Sequence, residues 1–120
     1  MCLYNKDTLL CGENEGWIDL IRITEDLRTT EVVLNKRFDK LGHIYQIQTT
    51  SQPGQIVVCS YTGVHFIKVY TDVNTLTMSL HLSELSYITE QFVNKIVEFS
   101  PGHFLAAVWD SNKFIVIDHE

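Results

Sequence analysis

Between Leu76 and Leu82 apolar and polar residues alternate one for one: Leu76, Met78, Leu80 and Leu82 fall on one side, and Thr77, Ser79 and His81 on the other. A period of two marks a half-buried strand, because successive side chains of extended backbone point to opposite faces. Short runs rich in Val, Ile, Phe and Tyr, bounded by Gly, Pro, Asn, Asp or Ser, recur along the whole chain. They predict strands over 2–5, 8–12, 17–23 and 31–34, then 44–49, 56–60, 64–70 and 76–82, then 93–99, 103–109 and 113–118. One stretch competes: Leu82, Leu85, Ile88, Phe92 and Ile96 recur at roughly helical spacing, so a helical turn is the alternative there. Pro101 and Gly102 end that stretch in a turn, where proline would stop a helix.

These runs repeat. Pro53-Gly54-Gln55-Ile56-Val57-Val58-Cys59 lies over Pro101-Gly102-His103-Phe104-Leu105-Ala106-Ala107 at an offset of 48 residues, which also carries Phe66-Ile67-Lys68-Val69 onto Phe114-Ile115-Val116-Ile117. An earlier copy is present: Leu9-Leu10-Cys11 precedes Val57-Val58-Cys59 by 48, and Gly16 to Ile23 precedes Gly63 to Tyr70 by 47. A fixed period of tens of residues implies a stacked or radial array of one supersecondary unit, here a four-stranded one.

The third copy carries a family likeness. Val93-x-x-Ile96-x-x-Phe99-Ser100-Pro101-Gly102-x-Phe104-Leu105-Ala106-Ala107, followed by Asp110 and Ile115-Val116-Ile117-Asp118, resembles a WD-repeat blade, with Ile117-Asp118 where that family usually has Trp-Asp. The resemblance implies an all-β fold, a partial β-propeller of four-stranded antiparallel blades that binds protein through its rims. Blade 1 would span about 1–35, blade 2 about 43–82 and an incomplete blade 3 about 92–120, lacking its fourth strand, all in one structural unit. A ring closes with roughly four to eight blades, so further blades or neighbouring chains are expected to complete it. An independent small β-sandwich is the competing architecture.

Charge and composition narrow the partners. The formal net charge is −6, and the only basic cluster is Lys36, Arg37 and Lys40, which sets the chain against nucleic-acid phosphate. Apolar runs fall far short of a membrane span, so no membrane is expected. Cys2, Cys11 and Cys59 form neither a CxxC pair nor an even set, pointing to a reducing compartment, cytoplasmic or nuclear, and to no disulfide framework. His43, His65, His81, His103 and His119 share no ligand spacing, and no phosphate-cradling loop or nucleophile motif occurs, so no metal, cofactor or catalytic residue is assigned.

Cys11, Cys59 and Ala107 occupy repeat-equivalent positions and read as a small buried slot. Glu13 with Glu15, and Glu25 with Asp26, read as solvated loop acids. Five residues are left as candidates for partner binding: Lys36, Arg37 and Phe38, read as a basic and aromatic loop between the first two blades, and Tyr61 and Trp109, equivalent by the offset of 48. The two aromatics are either rim contacts, a type of residue that dominates interface energies, or wedges packed between blades. The expected function is a non-catalytic interaction scaffold or assembly subunit that uses rim loops and an open strand edge. The alternative, a propeller-type enzyme, needs acids or histidines repeated on the inner strands, where Ile44-Tyr45-Gln46-Ile47 and Val93-Asn94-Lys95-Ile96 stand.

Overall fold

The computed structural model describes residues 2–5, 7–23, 30–75, 77–88, 93–109 and 113–119. The strands are β1 (Cys2–Asn5), β2 (Thr8–Gly12), β3 (Trp17–Ile23), β4 (Thr30–Arg37), β5 (Ile44–Thr49), β6 (Gln55–Ser60), β7 (Gly63–Thr71), β8 (Met78–Ile88), β9 (Val93–Ser100), β10 (His103–Val108) and β11 (Phe114–Asp118). They form three antiparallel sheets in the orders β1-β2-β3-β4, β5-β6-β7-β8 and β9-β10-β11, so the third has three strands among the described residues. Among those residues no helix is long and apolar enough to cross a membrane. The fold is all-β, and no sheet closes on itself.

One sequence alternative falls away and one expectation changes. Leu82 and Ile88, read as helix-spaced, both lie on β8, which stays extended and pairs Tyr87 with Val64 and Ser86 with His65 across a bulge. Pairing with β7 satisfies its backbone groups, so tertiary context overrides the local period. Ile96 lies on β9, and Phe92 lies outside the described residues. The loop expected at Lys36-Arg37 is strand instead, because β4 runs on to pair Lys36 with Ile18 and Arg37 with Trp17.

The sheets stack in chain order. β1 and β2 pack on β5, while β5 and β6 pack on β9, so the first strands of the three sheets are neighbours. One core of Leu10, Ile18, Leu20, Ile44, Ile47, Ile56, Val58, Ile67 and Leu80 lies between the first and middle sheets. A second, of Val57, Cys59, Val64, Phe66, Ile96, Phe104, Ala106 and Ile117, lies between the middle and third. Covered on both faces, β6 is buried at every residue, which is why Gln55-Ile56-Val57-Val58-Cys59-Ser60 shows no polar alternation.

The ladders show a repeated rule of packing. On the face turned towards the next sheet stand the cross-strand pairs Leu10–Leu20 and Val57–Phe66; on the face turned towards the preceding sheet stand Ile56–Ile67 and Phe104–Ile117. Ile56–Ile67 meets Leu10–Leu20 in the first core, and Phe104–Ile117 meets Val57–Phe66 in the second. Leu10 therefore stands in the place of Val57, not of Val58 as the offset of 48 implied. A slip of one residue exchanges the two faces of a strand. Both faces of these sheets are apolar, so the hydrophobic pattern fits either register. The slip also removes the common cysteine slot: Cys59 is buried, whereas Cys11 and Ala107 are half-buried on outward faces. Burial pushes the Cys59 thiol up to about 12.

Polar contacts fasten the sheets together. Ile96 donates its backbone N–H to Gln46 Oε1 at 2.9 Å. Glu98 accepts from Ser51 N at 2.7 Å, Ser51 Oγ at 2.8 Å and Gly102 N at 3.0 Å, joining the two Pro-Gly turns that define the repeat. Burial works against its charge, but these hydrogen bonds outweigh it and hold the carboxyl below the ordinary range. Gly54 and Gly102 adopt φ of 75° and 79° in those turns, a region open to glycine at little cost.

Candidate protein-interaction surface

The turns that follow β2, β6 and β10 lie at equivalent ends of their sheets and form one rim. It carries Glu13 and Glu15, then Tyr61, then Trp109, with Arg37 beside them because Arg37 pairs with Trp17. Tyr61 is 59% exposed and Trp109 51% exposed. A wedge between sheets would be covered, so both aromatics stand on the rim. Tyr61 is held in place: its N–H donates to His43 O at 2.9 Å, and its side chain lies against Gly42, where a Cβ would come within 3.3 Å of Tyr61 Cβ.

The other three candidates divide. Phe38 is only 7% exposed and belongs to the first core, which corrects its reading as part of an exposed loop. Lys36 Nζ donates to Leu80 O on β8 at 2.6 Å and sits 5.2 Å from the Phe38 ring centroid, so its charge bridges the first and middle sheets. Arg37 donates from Nε to Glu15 O at 3.1 Å and pairs with Asp39 at 3.4 Å, and of the three it alone remains on the open rim. The apolar partner of the basic pair is spent on the core.

Next to the rim, His65 links β7 and β8 to the segment after β4. Thr62 Oγ1 donates to Lys40 O at 2.8 Å and lies 2.7 Å from His65 Nε2, while His65 Nδ1 lies 2.9 Å from Ser86 Oγ. A hydroxyl has one proton, so Thr62 accepts from Nε2–H and Nδ1 accepts from Ser86. Desolvation, helped by the charge of Lys40, lowers the imidazole to about 4 and keeps it neutral. The array ties strands together beneath the rim.

Glu13 and Asp19 make the acidic counterpart. A hydrogen bond with Asp19, reinforced by its charge, raises the Glu13 carboxyl above its ordinary value. Asn35 Nδ2 donates to Asp19 Oδ1 from β4. Glu25 and Asp26 lie outside the described residues. Among the described residues no group of three or more His, Cys, Asp and Glu side chains could hold a metal ion.

Two apolar surface rows were missed from sequence. Leu3, Leu9, Ile21 and Val32 form an apolar row across the outer face of the first sheet, and Val97, Leu105 and Val116 form one across the outer face of the third. Leu3 and Val32 are 56% and 60% exposed, and Val116 is 68% exposed. A concavity of about 280 Å³ lies on the third sheet, lined by Lys95, Val97, Leu105, Ala107 and Phe114 with Gln46 and Ile96 at its edge. The signal was present in Phe114-Ile115-Val116-Ile117, an unbroken apolar run of the kind found in strands covered on both faces. A search of protein-family models and of curated proteins finds no match to this chain.

Proposed function

We propose that this chain is a segment of a β-propeller and serves as a non-catalytic protein-interaction scaffold, engaging partners through the rim of Arg37, Tyr61 and Trp109 and through the open edge of β11. The repeated packing rule carries this reading: the same two cross-strand pairs face the same way across both cores, the arrangement by which blades follow one another around a ring. The third sheet supports the strand-edge part. β4 and β8 stand beside the third strand of their sheets, whereas among the described residues nothing stands beside β11. Such an edge offers backbone groups for strand addition.

The test is hydrogen exchange of the folded chain, read on residues 114–118, with and without a synthetic peptide of residues 77–88, the fourth strand of the middle sheet. Protection that rises with the peptide, and fails with a peptide carrying proline at Leu82, supports the reading. Exchange that the peptide leaves unchanged overturns strand addition at β11.

A further inference from the structure

We infer that the strand received by β11 carries a hydroxyl or carboxamide side chain opposite His119, where the middle sheet has Leu80, and that this group hydrogen-bonds the His119 imidazole. The inference rests on strand addition at β11 and adds the chemistry of the strand.

The register comes from the backbone. Val69 donates its N–H to Gly54 O at 2.7 Å, His119 donates to Gly102 O at 2.7 Å, and Gly54 and Gly102 hold the same place in the two Pro-Gly turns. His119 therefore stands where Val69 stands, Asp118 where Lys68 stands and Ile117 where Ile67 stands. Val69, Lys68 and Ile67 pair with Leu80, His81 and Leu82 of β8, which fixes the residues that an added strand sets against β11. Backbone groups of successive residues in an antiparallel strand point to opposite sides. With His119 turned to Gly102, Asp118 turns its N–H and C=O to the open edge. Tyr87 donates its hydroxyl to that Asp118 O at 3.2 Å from the middle sheet. The second lone pair of the carbonyl is left for a strand N–H.

The side chains decide what the strand carries. Val69 and Leu80 are an apolar cross-strand pair in the first core. His119 puts an imidazole in the Val69 place, 9% exposed and flat on the Phe66 ring, with Nδ1 buried and lacking a hydrogen-bond partner. Directly opposite residues share a face, with Cβ atoms about 4.5–5.5 Å apart, so the residue opposite His119 is the one placed to reach this ring. A leucine there would close over an unsatisfied nitrogen. A hydroxyl or carboxamide both donates and accepts, so it serves Nδ1 in either tautomer and brings no charge in beside Phe66 and Tyr87. Lysine and arginine are opposed by the nearby charge of Lys68. Opposite Ile117 the strand keeps an apolar residue, as Leu82 stands opposite Ile67, because Ile117 belongs to the second core.

The experiment is calorimetric titration of the folded chain with two synthetic peptides of residues 77–88, one carrying Leu80→Thr and the other Leu80→Val, which match in shape and differ by the hydroxyl. The threonine peptide is expected to bind roughly fivefold tighter, the worth of about one net hydrogen bond. With His119→Phe, which keeps a ring on Phe66 and lacks the nitrogen, the valine peptide is expected to bind at least as tightly as the threonine one. Equal binding of the two peptides to the parent chain, tighter binding of the valine peptide, or a threonine preference that persists in His119→Phe overturns the inference. The comparison on the parent chain needs no variant, so it stands whether or not His119→Phe folds. Failure of the proposed function reads differently. If neither peptide binds, strand addition and this requirement both fall, whereas two peptides that protect residues 114–118 equally keep strand addition and remove only the requirement at His119.

Discussion

His119 lies face to face on Phe66, with ring centroids 3.6 Å apart and planes within 3° of parallel. The contact fastens the end of the third sheet to the core of the middle one, assisted by the His119 N–H, which donates to Gly102 O at 2.7 Å. Its Nδ1 is buried without a hydrogen-bond partner. Desolvation, with the nearby charge of Lys68, lowers the imidazole below its ordinary 6.5. The unfolded chain therefore binds the proton more readily, and stability is full above about pH 6.5 and declines as the pH falls towards the folded value. His119→Phe keeps the stacked ring and removes the titration. Urea midpoints at pH 7 and pH 5 should differ less for this variant than for the parent protein, and an equal difference would refute the assignment.

The same sign holds for His65, with a defined window. Its folded value of about 4 against an ordinary 6.5 means that stability is lost as the pH falls from about 6.5 to about 4. The full difference is worth roughly 3 kcal/mol, at about 1.4 kcal/mol per unit. Because protonation reverses the Ser86 bond to Nδ1 and puts a charge into this buried array, acid unfolding should begin beside the rim. Amide exchange at 62–65 and 86–87 is expected to rise before exchange at 104–106 as the pH is lowered; the reverse order would rule this out.

Gly12 is small because the middle sheet needs the room. A Cβ there would collide with Ile44 Cγ2 and come within 2.9 Å of Ile47 Cδ1. Gly12→Ala should destabilise the protein by about 1–3 kcal/mol through overpacking. Ile44→Ala in the same chain should make the Gly12→Ala change nearly neutral or favourable, a coupling that chemical denaturation of the four-member cycle would measure.

Core and rim aromatics should behave oppositely. Phe104→Ala removes a fully buried ring from the second core and should cost about 3–5 kcal/mol. Trp109→Ser acts at a half-exposed turn and should cost less than about 1 kcal/mol. Thermal unfolding of the two variants distinguishes them, and a Trp109→Ser loss as large as that of Phe104→Ala would move Trp109 from the rim to the core.

The strands were legible in the sequence because extended runs declare themselves locally, through period-two patterns, β-branched residues and Gly or Pro at the turns. All eleven expected strands have a counterpart, and β1, β2, β3 and β5 match to the residue. The rim position of Tyr61 and Trp109 follows from the repeat, since equivalent residues beside equivalent turns reach equivalent ends. The loop expected at Lys36 and Arg37 was misplaced because the length of β4 depends on pairing with β3, and Phe38 is core because its burial depends on a neighbouring sheet.

What tertiary structure alone decided is which way each strand faces. An apolar residue on a strand covered from both sides carries no mark of which neighbour it touches, so Leu10 fits the place of Val57 or of Val58 equally well by composition. Only the ladder register, set by five residues between Gly12 and Ile18 against two between Ser60 and Gly63, chooses between them. That choice turns Leu10–Leu20 inward and leaves Leu9–Ile21 on the outer face. Local chemistry determined that there are strands and where they turn; the stacking of sheets, through pairing and burial between distant residues, determined which surfaces are core and which are open.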